Sequence, residues 1–281
     1  MGMDEATTMR SGGADAWEPF AAVSAQDLAQ VDFVLTDIDD TLTHEGRLPA
    51  VAYDALERLS AAGLTVIPVT GRPAGWCDLI ARLWPVDAVV GENGAFYYAR
   101  KREGGMCRVY QADDATRQAN RERLGAIAHR VRDRVPDARI AADQPFRETD
   151  LAIDFAEDVP ALEGAAVDRI VACFEEAGAI AKVSSIHVNG WFGSHDKLTM
   201  TRRLLSERFA CDIETENHRV LYAGDSPNDG PMFAFFRNGV AVANYMQGRS
   251  PQHEWPRYMT QHVGGRGFSE IADRILAARR A

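Results

Sequence analysis

Residues 31–43, VDFVLTDIDDTLT, limit most sharply what this chain can become. Residues 31–35 are mostly apolar and β-favouring, which predicts a buried strand. Its carboxyl end carries Asp37, Asp39 and Asp40, then Thr41. In an open parallel sheet, ligands bind at the carboxyl ends of strands. Asp37 and Asp39 stand at alternate positions, so both can enter one cleft while Ile38 points away. Two carboxylates a few ångströms apart repel by about 4 kcal/mol at an effective dielectric of 20. A cation or a shared proton has to offset that repulsion. An acidic turn is the plainer alternative, since Asp is common in turns. The rest of the chain decides between the two.

After a short loop, Pro49 occupies a first-helical position, and Val51, Ala55, Leu56 and Leu59 follow at helical spacing until Gly63. Residues 64–69 form a second predicted strand, ending in Thr70-Gly71-Arg72-Pro73. A helix over 74–83 and a third strand over 87–90 come next, then Glu92-Asn93-Gly94. Strand, helix, strand, helix, strand predicts an α/β fold with a doubly wound parallel sheet. From about residue 95 the rhythm changes to hairpins mixed with two helices, which predicts an inserted α+β cap over 95–190, hinged near Gly94 and residues 190–193. The first rhythm resumes with a helix over 196–208. A strand over 219–223 ends in Gly224-Asp225-Ser226-Pro227-Asn228-Asp229. A helix over 231–236, a strand over 239–243 and a terminal helix over 268–278 complete the core, which is thus 31–94 plus 191–281. Gly264-Gly265-Arg266-Gly267 reads as a turn into that last helix, and Met232, Phe233, Phe235 and Phe236 as core packing. Residues 1–30 predict a loosely attached, flexible arm, with Trp17 and Phe20 available to pin its end.

A net charge of −10 argues against nucleic acid and anionic membranes as partners. It leaves room for an anionic substrate, because a bound divalent cation inverts the local field. No apolar run approaches transmembrane length. Cys77, Cys107, Cys173 and Cys211 are scattered, as expected of reduced thiols in a cytoplasmic protein. A monomer or small homo-oligomer is expected.

Asp37/Asp39, Thr70, Lys197 and Asp225/Asp229 should therefore meet at one sheet edge, and their types fit phosphoryl transfer. Asp37 is the candidate nucleophile, forming an aspartyl-phosphate that splits a very slow reaction into two steps. Asp39 is placed to protonate the leaving oxygen and then activate water. Asp225 and Asp229 offer oxygen ligands for Mg²⁺. Thr70, the backbone donors after it and Lys197 would hold the phosphoryl oxygens. Gly71, Arg72, Asn93 and Asn228 lie close enough in sequence to contact substrate. His187 and His195 read as surface or hydrogen-bonded residues.

In this order, D-I-D-D-T, V-T-G-R, a lone Lys and G-D-S-P-N-D resemble the four motifs of the haloacid dehalogenase superfamily of phosphatases. An insert between the second and third motifs resembles the subclass with the larger α/β cap, and Glu92-Asn93-Gly94-Ala95 fits its core–cap junction. The resemblance implies Asp37 as nucleophile, Asp39 as acid/base, Thr70 as phosphate binder and Lys197 as the charge-balancing lysine. It also implies an Mg²⁺ site that includes Asp37, Asp225, Asp229 and the backbone carbonyl of Asp39. Asp40 and Leu198 stand where many members have Gly, and Lys182 is the competitor for the lysine role. The G-D-S-P-N-D and H-D-K segments are similar to sugar-phosphate phosphatases, mannosyl-3-phosphoglycerate phosphatases among them. A small phosphomonoester is the expected substrate. Two alternatives stay open: a phosphosugar mutase with the same cap, and a phospho-accepting regulatory protein similar to response-regulator receivers. Asp39 argues for turnover over signalling. Arg147, Glu148, Asp150, Lys182, Ser184, Ser185 and Asn189 are the cap's polar candidates, of which at least two should face the cleft.

Overall fold

The computed structural model describes residues 17–101, 103–184, 186–248 and 256–280. A short strand β1 (Glu18–Pro19) and helix α1 (Ala25–Ala29) precede β2 (Phe33–Thr36), α2 (Ala50–Ala61), β3 (Thr65–Pro68), α3 (Ala74–Leu83) and β4 (Ala88–Gly91). The hairpin β5 (Phe96–Arg100) and β6 (Met106–Tyr110) leads into the cap. There α4 (Asp114–Arg134), β7 (Arg139–Ile140), β8 (Leu151–Asp154), α5 (Gly164–Glu175), β9 (Ile180–Val183) and β10 (His187–Trp191) follow one another. The chain returns through α6 (Lys197–Phe209), β11 (Val220–Gly224), α7 (Gly230–Phe235), β12 (Asn238–Ala241), β13 (Tyr258–Met259) and α8 (Gly264–Ala278).

The core sheet runs β1-β13-β12-β11-β2-β3, with every pairing parallel. A parallel bridge from Val69 to Val90 carries it on to β4. Alternate strand residues serve opposite faces, as a period of two requires. Val34, Val66 and Leu221 pack with Leu56, Ile80, Phe268 and Ile275 on one side. Leu35, Ile67 and Tyr222 pack with Met200, Leu204, Met232 and Phe233 on the other. Helices on both faces explain why β2 is buried throughout. Among the described residues no helix is long and apolar enough to cross a membrane.

The cap is a separate layer pair. Its antiparallel sheet runs β7-β8-β10-β9, and Leu124, Ile127 and Val131 of α4 share one cluster with Ile170 and Phe174 of α5 and Ile153 and Val188 of the sheet. A Cβ on Gly190 would lie 2.1 Å from the Phe174 ring, so only glycine lets α5 settle there.

Three expectations need correction. The β5–β6 hairpin pairs with β4, and its alternate residues Phe96/Tyr98 and Tyr97/Ala99 enter the two core clusters. It extends the core, and the cap fold begins near residue 112. Gly94 is a contact point, not a free hinge: at φ +100 it packs so closely that a Cβ would stand 1.9 Å from the Asp196 carbonyl oxygen. Residues 17–30, expected in a flexible arm, are docked: Phe20, Val23 and Leu28 are buried in the core, and Arg274 donates to the Val23 carbonyl at 2.8 Å. Residues 1–16 lie outside the described residues. Of the aromatic run in α7, Met232, Phe233 and Phe236 are buried and Phe235 packs partly buried beside them.

Candidate active site

The sheet itself assembles the site. Neighbouring parallel strands β2 and β11 end side by side, and the Asp37 N–H donates to the Ala223 carbonyl at 2.9 Å. That register sets Asp37 next to the loop after β11, which holds Asp225 and Asp229. Lys197 opens α6, whose N-cap Asp196 accepts from the Thr199 N–H at 2.7 Å. Its Nζ lies 3.1 Å from Asp37 Oδ1 and 2.8 Å from Asp229 Oδ1. Among the described residues Lys182 forms no such ion pair with these carboxylates, and it lines the cavity above them instead. Tyr222 donates its hydroxyl to Asp229 Oδ1 at 2.6 Å. The N–H groups of Asp225 and Ser226 donate to Asp229 Oδ2 at 3.1 and 3.2 Å. Asp225 Oδ1 accepts from the Thr41 hydroxyl at 3.1 Å.

Two buried carboxylates, Asp37 and Asp229, and a half-buried one, Asp225, against one ammonium leave excess negative charge. Burial pushes Asp37 up to about 7, with Lys197 pulling the other way and Asp229 and Asp39 adding to the rise. Burial, then Asp229 and Asp37, pushes Asp225 well above the usual carboxylate range. For Lys197 burial acts downward, yet Asp229 and Asp37 outweigh it and hold the ammonium charged. Oxygens of Asp37, Asp225 and Asp229 all lie within 4.8 Å of one another. A hard, all-oxygen donor set with surplus negative charge fits Mg²⁺. Asp229 is the most engaged of the three, since both its oxygens already accept hydrogen bonds. Asp37 and Asp225 keep more oxygen capacity open.

Asp39 is held by Arg72, with Nε 2.9 Å from both carboxylate oxygens and Nη2 2.6 Å from Oδ1. The guanidinium lies 4.5 Å from the Trp76 ring centroid. Asp40 adopts φ +56, a left-handed position where Asp is tolerated and Gly is unstrained. The Gly-to-Asp departure is thus a matter of turn geometry. Thr70 is fully buried, and its hydroxyl accepts from the Arg72 N–H at 3.0 Å; it shapes the loop from behind. Gly71 lets the Asn93 side chain come close, since a Cβ there would meet its Oδ1 at 3.1 Å. Asp37, Asp39, Gly71, Arg72, Asn93 and Lys197 line one polar cavity, together with Asp225 and Asn228.

The cap closes this cavity with Arg147, Lys182, Ser184, His187 and Asn189. Asn228 reaches up to it, donating to the Val183 carbonyl at 3.0 Å. Arg147 is already committed, to Asp143 at 2.8 Å, to Asp150 at 3.0 Å and to the Gly71 carbonyl at 3.1 Å. Glu148 bonds Tyr110 at 2.6 Å, away from the cleft, and Ser185 lies outside the described residues. His187 is buried with Nε2 2.8 Å from Glu157. His195, expected at the surface or hydrogen-bonded, is instead buried against Trp191, and its Nε2 has no partner among the described residues.

Sequence reasoning missed Tyr222, which sits in an apolar strand and gives no local signal. It also missed the role of Glu92. That carboxylate is buried and accepts from the Ala74, Glu148 and Thr149 N–H groups at 2.9, 2.9 and 2.7 Å, so it ties cap to core. Burial, with nearby Asp150, pushes Glu92 up to about 7. Its place beside Asn93-Gly94 was the one available hint.

Residues 34–116 match the family model of haloacid dehalogenase-like hydrolases. No curated protein matches the sequence. Among solved structures, a Thermoplasma acidophilum protein superposes with TM-score 0.68 at 17% identity, covering 88% of this chain and 98% of that one. A HAD/COF-like hydrolase from Plasmodium vivax gives 0.65 at 16% identity over 90% and 99% of the two chains. The sucrose-phosphatase of Synechocystis, solved with sucrose and phosphate, gives 0.59 at 17% over 88% and 98%. Identities this low speak for the fold. A doubly wound core with a cap inserted after the second motif is the architecture these structures share with the chain. Residues 34–116 are thus similar to haloacid dehalogenase-like hydrolases, and the chain as a whole shares its fold with these solved structures.

Proposed function

We propose that the protein is an Mg²⁺-dependent phosphomonoester hydrolase working through an aspartyl-phosphate on Asp37, with a sugar phosphate or a similar small phosphorylated metabolite as substrate. The observation that carries this is Lys197 bridging Asp37 and Asp229 beside a cavity that also holds Asp39 and Asp225. Asp37, Asp225 and Asp229 would hold the ion, which supplies charge neutralisation where anionic nucleophile and anionic ester meet. Lys197 orients Asp37 and neutralises charge on the transferring group. Asp37 Oδ attacks phosphorus, the bond to the leaving oxygen breaks, and Asp39 gives that oxygen its proton. Asp39 then takes a proton from water as the water oxygen attacks phosphorus and the Asp37–phosphorus bond breaks. Arg72 steadies Asp39 for both proton movements. A second acid two residues beyond the nucleophile supports hydrolysis over simple phospho-acceptance.

The test is phosphate release from monoesters with Mg²⁺, with and without chelator, by the wild type and Asp37→Asn. The amide keeps the side chain's volume but cannot attack phosphorus, so activity should fall at least about 10³-fold with the circular-dichroism spectrum unchanged. A variant retaining more than a few per cent of activity would move the nucleophile elsewhere. Undiminished turnover after confirmed metal removal would refute the cation's part. Steady phosphate release without a bisphosphate activator would separate a hydrolase from a mutase.

A further inference from the structure

The polar cavity that holds Asp37 and Lys197 is small, about 90 Å³, beside neighbours of about 940 and 850 Å³. A released alcohol of any size therefore extends from it into one of the adjoining cavities. Besides a cavity of about 250 Å³ along Asn93, Lys197 and Asn228, whose lining lacks Asp39, two larger cavities border the polar one. One, of about 940 Å³, adjoins it along Asp225, Ser226 and Asn228, on the side of the cation's donors. The other, of about 850 Å³, adjoins it along Asp39 and Arg72. Both reach Asp40, and Asp39 belongs to the second alone. In-line displacement puts the leaving oxygen opposite the attacking one, within reach of the acid. The acid is Asp39, so the leaving group points into the second cavity.

That cavity is a trough across both domains. Leu48, Trp76, Leu79 and Trp84 line it from the core, and Phe146 and Ile186 from the cap. Phe146 sits directly on the first turn of α3: a Cβ on Gly75 would come within 2.9 Å of it. Trp76, Leu79 and Phe146 remain 44%, 52% and 56% exposed, the kind of contiguous apolar surface that marks a binding groove. Its polar groups, Asp39, Asp40, Thr43, Glu45, Arg72 and Glu157, include the very pair at the scissile end. A polyol would find few hydrogen-bond partners against Trp76, Leu79 and Phe146.

We propose that this trough is the leaving-group subsite, and that the preferred substrate is a phosphorylated alcohol carrying a bulky apolar body, not a bare polyol phosphate. The proposal rests on the phosphatase reading above and narrows its substrate class. 2-Phenylethyl phosphate and glucose 6-phosphate test it well, being primary alkyl esters with leaving oxygens of similar basicity. With Mg²⁺ present, kcat/KM should favour the phenylethyl ester by about tenfold or more, as apolar pockets discriminate. Leu79→Gln and Phe146→Ser should each lower that ratio by about tenfold, while Val51→Gln, on α2 and outside the trough, should leave it unchanged. A preference for glucose 6-phosphate, or a ratio that neither trough variant moves, would overturn the assignment and leave the phosphatase reading standing. Release of phosphate from neither ester, nor from p-nitrophenyl phosphate, would overturn the phosphatase reading and this subsite with it.

Discussion

Core and cap each bury an ionic network, and the two differ in what they leave open. Around Arg147 in the cap, Nε and Nη2 donate to Asp143, and Nη1 to Asp150 and to the Gly71 carbonyl. Asp150 also accepts from Asn189 at 3.2 Å. Four of the five guanidinium N–H donors are used inside the protein, and the network needs no guest. In the core, among the described residues, the Asp37 carboxylate accepts from Lys197 and the Asp225 carboxylate from Thr41. A carboxylate has about four acceptor positions, so both face the cavity with most of that capacity unspent. Closed networks hold elements together; open ones have acceptor capacity to spare, which is what the proposed function requires. The comparison also explains why Arg147 and Asp150, two of the cap's polar candidates in the sequence, are engaged with each other although Arg147 borders the cavity.

The open network should break most visibly in activity. Lys197→Met removes the one cation shared by Asp37 and Asp229 and should lower kcat/KM by about 10³-fold, or about 4 kcal/mol. Removing this ammonium leaves carboxylates facing one another, so added Mg²⁺ should not restore the rate. A loss under tenfold, in protein with a native circular-dichroism spectrum, would mean that the lysine is structural like its cap counterpart.

The closed network should break in stability. Arg147→Met leaves Asp143 and Asp150 without their shared partner, and removing one member of a buried pair costs about 3 kcal/mol. Urea unfolding followed by fluorescence measures it. At saturating substrate the folded variant should lose far less activity than Lys197→Met. Unchanged stability with abolished turnover would reverse the two networks' roles.

What the sequence disclosed follows the same division. Asp37, Asp39, Lys197, Asp225 and Asp229 were legible because each stands at the end of a strand or the start of a helix, and a parallel sheet brings those ends to one edge. Local pattern therefore carried long-range information. Where a side chain's role depends on a distant partner, pattern failed. The Tyr222 hydroxyl lies inside an apolar strand, and Glu92 binds cap N–H groups more than fifty positions away. The β5–β6 hairpin reads the same whether it joins the core sheet or the cap sheet, so the boundary at residue 95 was placed too early. The Thr70 oxygen also accepts from the Arg72 N–H, a contact its motif does not announce.

His195 lies at the seam between the two regions and gives the smallest effect. It is 8% exposed, stacked 5.6 Å from Trp191, and directly precedes the Asp196–Lys197 start of α6. Burial lowers its pKa to about 4, with Asp196 acting weakly in the other direction. The folded state therefore keeps it neutral where the unfolded chain, near 6.5, takes up a proton. Stability from this residue is fully present above about 6.5 and is lost as pH falls from there toward 4. Between pH 7 and pH 5 the loss should be about 2 kcal/mol. His195→Phe keeps a ring against Trp191 and cannot titrate, so its urea midpoint should vary less over that interval. The double comparison, two proteins at two pH values, isolates this residue from the carboxylates that titrate in both. Identical pH dependence in wild type and variant would show that His195 is protonated in place without cost, and that the seam is more polar than its buried, unpartnered Nε2 indicates.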